Sequence, residues 1–79
     1  MKILITTPLG NVGSETLRTL AAHPNRPALT IIAGDWSPEK NRTQLATLTD
    51  DAVLFDFARP KTIAPTLMGV SRVLLVGPP

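Results

Sequence analysis

Residues 3–15 combine a strand, a glycine turn and the start of a helix in one short unit. The apolar run 3–5 predicts a buried strand, Gly10 and Gly13 follow it three positions apart, and a helical pattern begins at once. Such a unit aims the backbone N–H groups of a helix N-terminus at an anion, usually a dinucleotide pyrophosphate. A Gly-x-x-Gly sequence by itself is weak evidence, and its position between strand and helix makes it more specific.

The composition limits the chain to one small domain. Its 79 residues include no cysteine and one histidine, which excludes disulfides and leaves too few ligands for a zinc site. The net charge of +2 comes from scattered Lys and Arg, so we do not expect nucleic-acid binding. No segment approaches the roughly 20 apolar residues of a membrane span, and Pro8 and Gly10 interrupt the N-terminal apolar run. We therefore expect a cytoplasmic protein without a membrane partner.

Strand-like and helical patterns alternate along the chain. The patterns predict strands at 2–6, 28–34, 52–55 and 72–76, and helices at 12–23, 38 to about 48, and 61–69. Because this order requires parallel strands joined by right-handed crossovers, the predicted fold class is α/β, a Rossmann-type three-layer sandwich with strand order 3-2-1-4. This is the N-terminal half of a doubly wound domain, so residues 1–79 are expected to be an incomplete dinucleotide-binding domain.

Local signals predict where the helices begin and end. Asn11 is the expected N-cap of the first helix, and Ser37 followed by Pro38 is the expected start of the second. Gly69 is the expected residue just after the third helix. Pro65 falls inside that helix, where it removes a hydrogen bond and kinks or breaks the helix.

An acidic residue follows the second predicted strand. Asp35 lies 22 positions after Gly13, and an acid about 20 residues after the glycine turn usually accepts hydrogen bonds from the adenosine ribose hydroxyls. The alternative is that Asp35 is a solvated turn residue. The adjacent Trp36 either stacks on the adenine or covers an edge of the small domain.

Four segments resemble the N-terminal third of NmrA-like proteins, which are atypical members of the short-chain dehydrogenase/reductase superfamily. They are residues 3–15, residues 33–40, the Asp56–Phe57 pair before a proline-started helix, and residues 69–79, in register over essentially the whole chain. The resemblance implies a Rossmann fold that binds NADP or NAD. Some members of the family reduce quinones or other small carbonyl and olefin substrates, and others act as redox-sensing regulators without catalysis.

The resemblance also assigns residues around the pyrophosphate. The family turn Gly-x-x-Gly-x-x-Gly corresponds here to residues 7–13, with threonine in place of the first glycine. The residues expected to hold the cofactor there are Thr7, Leu9, Gly10, Asn11, Val12 and Gly13. Because a β-branched residue tolerates positive φ poorly, Thr7 predicts either a remodelled turn or weaker cofactor binding. Family members that bind NADP tend to have an arginine where this chain has Trp36, so NAD is slightly favoured over NADP.

Two further pairs of residues complete the expected site. Asp56 and Phe57 resemble the pair that holds the adenine edge, although Asp56 could equally be a polar strand end. Gly77 and Pro78 resemble the loop that passes beside the cofactor after strand four. The superfamily's catalytic Tyr-x-x-x-Lys cannot be present because the chain has no tyrosine. We therefore expect no catalytic residue, and oxidoreductase activity would need a substrate lobe.

Two other functions remain open from the sequence. One is a redox-sensing regulator that binds a nicotinamide cofactor and a protein partner without turnover. The other is a truncated chain that has lost cofactor binding and acts as an oligomeric structural module. Residues 72–76 read as an interior strand of a complete Rossmann sheet. If the chain ends at Pro79, this strand has a bare edge, and we expect self-association through it.

Overall fold

The computed structural model describes residues 1–77, and within them it forms a four-stranded parallel sheet flanked by helices. The strands are β1 (Lys2–Thr6), β2 (Thr30–Asp35), β3 (Asp51–Leu54) and β4 (Arg72–Leu74). The helices are α1 (Asn11–Ala21), α2 (Pro38–Ala46) and α3 (Ile63–Leu67), with short 3₁₀ helices at Arg26–Ala28 and Pro60–Thr62. The strand order is β3-β2-β1-β4. The predicted α/β fold class and strand order 3-2-1-4 are confirmed.

β1 lies in the interior of the sheet and fixes its register. It pairs with β2 from Lys2 opposite Thr30 onward, and with β4 from Ile3 opposite Arg72 onward. Since all pairs are parallel, the carboxyl ends of the strands lie along one edge. We call this the carboxyl edge, and the turns after β1, β2 and β3 all begin there.

The two faces of the sheet are buried by helices on opposite sides, as the alternation of side chains along a strand requires. On one face, Leu4, Ile32 and Phe55 pack together, with Ile63 of α3 against them. On the other face, Leu17 of α1 packs with Ile5 and Ile31, and Leu45 of α2 packs with Ala33 and Ala52. The layers are therefore helix, sheet and helix.

The N-cap of α1 is Gly10, so the predicted Asn11 cap is wrong. Gly10 has an extended backbone, its N–H donates to the Thr7 carbonyl at 3.1 Å, and its own carbonyl accepts from the Ser14 N–H at 2.9 Å. This turn fixes the helix start one residue earlier than the side-chain preference of asparagine suggests. Ser37 is the N-cap of α2, as predicted, with Pro38 at the first helical position.

Helix α3 and strand β4 are both shorter than the predicted ranges 61–69 and 72–76. α3 has five residues, and Pro60–Thr62 before it is a 3₁₀ helix. Pro65 is the third residue of α3, and because its nitrogen cannot donate to the Lys61 carbonyl, the α-helix does not extend back over Pro60–Thr62. Gly69 follows the C-cap Met68 with φ +74°, as expected of a residue just past a helix end. Among residues 1–77, no helix has the length and apolar character needed to cross a membrane.

The outer edge of β4 carries no partner strand among residues 1–77. Val73 in this strand is 43% exposed, and Leu75 just after it is 66% exposed. An unpaired apolar edge offers backbone groups and hydrophobic surface to another chain. We expect the 79-residue polypeptide to sediment as a dimer or larger species at micromolar concentration, and Val73→Lys to shift it toward monomer. A parent polypeptide that sediments as a monomer would contradict this expectation.

Candidate functional site

A cleft of about 540 Å³ opens at the carboxyl edge beside β1, β2 and β3. It is lined by Thr7, Leu9, Gly10, Gly34, Asp35, Trp36, Asn41, Phe55, Asp56, Phe57 and Ala58. We call it the carboxyl-edge cleft. Open parallel sheets bind their ligands outside the carboxyl ends of the strands. The structure therefore brings together seven of the residues predicted from the sequence, which come from three different turns.

The turn after β1 keeps a glycine-like backbone although its first position is a threonine. Thr7 has φ +49°, in the left-handed region that costs energy for a β-branched side chain. Its hydroxyl donates a hydrogen bond to the Val76 carbonyl at 2.7 Å. Thr7 thus adopts the left-handed backbone that glycine favours, and a long-range hydrogen bond offsets part of the backbone strain.

Thr6 is a structural residue that the sequence reasoning missed. It is fully buried at the end of β1, and its hydroxyl oxygen accepts the Val76 N–H at 2.7 Å. The same hydroxyl lies 3.0 Å from the Val76 carbonyl, where it can donate. Thr6 and Thr7 together attach the segment after β4 to the glycine turn. The one signal in the sequence is a pair of hydroxyl side chains at the end of an otherwise apolar strand.

The N-terminus of α1 adjoins the cleft at Gly10. The N–H groups of Asn11, Val12 and Gly13 have no acceptor among the described residues. No side chain caps this end, and no acidic residue stands in the first turn. Asn11 and Val12 are exposed, and Gly13 is buried. An uncapped helix N-terminus of this kind presents partial positive charge to an anion.

Gly13 is required by the close packing of α1 on the turn. A Cβ atom at Gly13 would lie 2.3 Å from the Thr7 carbonyl oxygen and 3.0 Å from the Cα atom of Pro8. A Cβ atom at Gly10 would lie 3.1 Å from the Thr7 methyl group, which is a tight contact. The two glycines therefore differ in role: Gly13 lets the helix approach the backbone, whereas Gly10 keeps the rim of the cleft open.

Asp35 is buried at the end of β2, with only 3% of its surface exposed. Its Oδ2 atom accepts hydrogen bonds from the Ser37 N–H at 3.1 Å and from Asn41 Nδ2 at 2.8 Å. Its Oδ1 atom accepts no hydrogen bond from the described part of the chain. If Oδ1 were fully buried, it would be an unsatisfied buried oxygen, and the described residues contain no such atom. Oδ1 is therefore accessible, and since Asp35 lines the cleft we assign that access to the cleft. The interpretation of Asp35 as a solvated turn residue is wrong.

Aromatic side chains form part of the cleft wall. Trp36 is 68% exposed and follows Asp35 directly. The rings of Phe55 and Phe57 meet edge to face, with their centroids 5.1 Å apart and their planes at 76°. Phe55 is buried in the core, whereas Phe57 is partly exposed. A planar ligand could stack on the exposed rings of Trp36 and Phe57.

Asp56 lines the cleft, but its carboxylate is also bound within its own turn. Oδ1 accepts the Ala58 N–H at 2.9 Å, and Oδ2 lies 3.5 Å from Arg59 Nε. The Asp56 N–H donates to the Thr62 hydroxyl at 2.9 Å. These contacts order the turn between β3 and α3. A structural role and a ligand-binding role are both compatible with this geometry.

The cleft lining contains two carboxylates and no Lys or Arg. Two basic residues of α2 lie outside the lining: Lys40 is exposed, and Arg42 binds Glu39 at 2.6 Å. That hydrogen bond raises the pKa of the Arg42 guanidinium above its ordinary value. No cationic side chain of the cleft wall can therefore balance a ligand phosphate at the Asp35 end.

The remaining predicted residues lie outside the cleft lining. Gly77 is exposed, and a Cβ atom there would meet nothing within 4 Å, so it is not a wall of the cleft. Pro78 lies outside the described residues. Within residues 1–77 there is no group of three or more His, Cys, Asp or Glu side chains that could hold a metal ion.

Comparisons with protein-family models, with curated proteins and with solved structures gave no match for this chain.

Proposed function

We propose that the chain binds a nicotinamide dinucleotide in the carboxyl-edge cleft and forms the cofactor-binding segment of an NmrA-like oxidoreductase. The observation that carries the proposal is the pairing of an uncapped helix N-terminus with a carboxylate across one cleft. The first supplies donors for a pyrophosphate, and the second supplies an acceptor for ribose hydroxyls.

The residues present fit the adenosine diphosphate part of the cofactor. The N–H groups of Asn11, Val12 and Gly13 would hold the pyrophosphate, because no side chain or acidic residue competes for them. Asp35 would accept from the ribose, and the exposed ring of Trp36 would contact the adenine. The clash at Gly13 and the tight contact at Gly10 support a turn whose backbone is kept free of side chains.

The charge of the cleft supports NAD over NADP. A 2′-phosphate beside Asp35 would meet a carboxylate and no cationic side chain of the cleft lining. An unpaired like charge in a partly buried site disfavours the ligand that carries it. This strengthens the preference suggested by Trp36 at the position where NADP-binding family members tend to have arginine.

The described residues supply binding and no proton donor of the superfamily's type, since the whole chain lacks tyrosine. When bound, a nicotinamide cofactor supplies a hydride, and its reaction would need residues beyond this segment. A redox-sensing regulator would use the same binding residues, so a proton donor in a substrate lobe distinguishes the enzyme from the regulator.

Fluorescence of Trp36, the single tryptophan of the chain, offers a direct test. We expect NAD and ADP to change this fluorescence saturably. Their affinities should be similar, because the cleft is lined only by residues within 7–58, which we assign to the adenosine diphosphate part that both ligands share. Nicotinamide mononucleotide, which lacks the adenosine, should bind much more weakly. The absence of a saturable change with both NAD and ADP, together with no heat of binding, would contradict the proposal.

Asp35→Ala is expected to weaken NAD binding about tenfold and to leave NADP binding nearly unchanged. The change removes an acceptor for the ribose hydroxyls and the repulsion of a 2′-phosphate together. Asp35→Asn keeps the side-chain shape and should reduce the preference for NAD in the same direction. The matched control is Asp51→Ala, which removes the same charge from an exposed position at the start of β3. Equal losses for the two cofactors would remove Asp35 from the ribose site.

A further inference from the structure

Asn41 is the one α2 residue that lines the carboxyl-edge cleft, and nothing in the sequence pattern singled it out. It lies in the first half of α2, half-buried, and its Nδ2 atom donates to Asp35 Oδ2 at 2.8 Å. Its backbone N–H donates to the Ser37 carbonyl at 3.2 Å. The side chain of Asn41 therefore binds the end of β2, and its backbone binds the connection between β2 and α2.

The hydrogen bonds to Asp35 are unequally divided between its two carboxylate oxygens. Oδ2 accepts from both Ser37 and Asn41, whereas Oδ1 has no partner among the described residues. The Ser37 donor belongs to the backbone two residues away, so it constrains the carboxylate only locally. Asn41 adds a donor from a different element, and two donors on one oxygen fix the rotation of the carboxylate group.

We propose that Asn41 is a positioning residue that determines cofactor choice by holding Asp35 Oδ1 toward the cleft. The inference rests on the proposed function, since it concerns how the same site distinguishes NAD from NADP. With Oδ2 held by Asn41 and Ser37, Oδ1 is the acceptor available to a vicinal diol. The same orientation directs negative charge at a 2′-phosphate, and the cleft lining holds no Lys or Arg to balance it.

The other polar side chains of the cleft do not share this arrangement. The Thr7 hydroxyl is bound to the Val76 carbonyl, away from Asp35. The Asp56 carboxylate is bound within its own turn and by Arg59. Among the side chains of the cleft lining, Asn41 thus donates a hydrogen bond to Asp35, the residue that we assign to the ribose. Its removal should alter selectivity more than it alters stability.

Asn41→Leu tests the inference, because leucine has nearly the shape of asparagine and no donor. We expect NAD binding to weaken about tenfold and NADP binding to change less than threefold, so that the ratio of the two affinities falls. Asn41→Ala, which suits a helix, serves as a second variant if leucine impairs folding. Asn41→Gln keeps the amide donor on a longer side chain and should recover most of the NAD preference.

Gln44→Leu is the matched control, because Gln44 is an exposed amide on α2 outside the cleft lining. It should leave both affinities unchanged. If Asn41→Leu and Asn41→Ala keep the parent's affinity ratio, or if Gln44→Leu lowers it equally, the positioning role is wrong. A parent chain that binds neither cofactor would instead contradict the proposed function, so the two failures are distinguishable.

Discussion

Gly13→Ala is expected to destabilise the domain by about 3 kcal/mol, which lowers the melting temperature by roughly 15 °C in a chain of this size. Alanine in a helix is ordinarily about 1 kcal/mol more favourable than glycine. Here its Cβ atom would lie 2.3 Å from the Thr7 carbonyl oxygen and 3.0 Å from Pro8 Cα. Both neighbours are backbone atoms, and Pro8 is buried, so neither can move without displacing α1 from β1.

The measurement is thermal or urea unfolding of Gly13→Ala beside the parent and Thr19→Ala. Thr19 is an exposed residue of the same helix, so its replacement should change the free energy of unfolding by about 0.5 kcal/mol or less. A Gly13→Ala variant as stable as the parent would show that α1 does not need its close contact with the turn.

Gly10→Val is expected to reduce NAD affinity at least about a hundredfold, which corresponds to about 2.8 kcal/mol of binding free energy. The φ of −74° at Gly10 suits a side chain, and the nearest atom to a new Cβ is the Thr7 methyl group at 3.1 Å. The variant should therefore fold. Its branched side chain would stand at the rim of the cleft, beside the uncapped N–H groups of α1, and would exclude the pyrophosphate.

Titration of Gly10→Val with NAD, followed by Trp36 fluorescence and by calorimetry, measures this loss. The control is Ala21→Val, which also places a valine on α1, at its exposed opposite end, and should bind as the parent does. If Gly10→Val bound NAD with the parent's affinity, the turn after β1 would not be the anion site.

The sheet topology could be predicted because every signal for it is local. Alternating runs of strand and helix character determine the element order and favour parallel strands joined by right-handed crossovers. The order 3-2-1-4 then follows from the doubly wound arrangement that the glycine turn after β1 indicates. The predicted ends of β1 agree with the structure, because Lys2–Thr6 begins with a lysine and is followed by a proline turn. β4 was predicted too long, because the apolar run 72–76 continues past the residues that pair with β1.

The interactions that complete the site could not be predicted, because their partners are distant in the sequence. The Thr6 and Thr7 hydroxyls bind Val76, about 70 positions away, and no periodic pattern connects these residues. Asn41 lies on a polar helix whose sequence does not distinguish a cleft-lining amide from a solvated one. The N-cap at Gly10 depends on how the turn closes through its hydrogen bond to Thr7, which residue preference does not describe.

The most direct test of the anion site is an amide ¹H–¹⁵N spectrum of the labelled polypeptide during titration with NAD. The carboxyl-edge cleft lies beside β1, β2 and β3, so association through β4 would leave it accessible. We predict saturable shifts of the Asn11, Val12 and Gly13 amides, with the Trp36 indole resonance following the same binding curve. Amides of α1 that remain unchanged at saturating NAD, or shifts confined to residues outside the cleft, would contradict the proposal that this helix N-terminus holds the pyrophosphate.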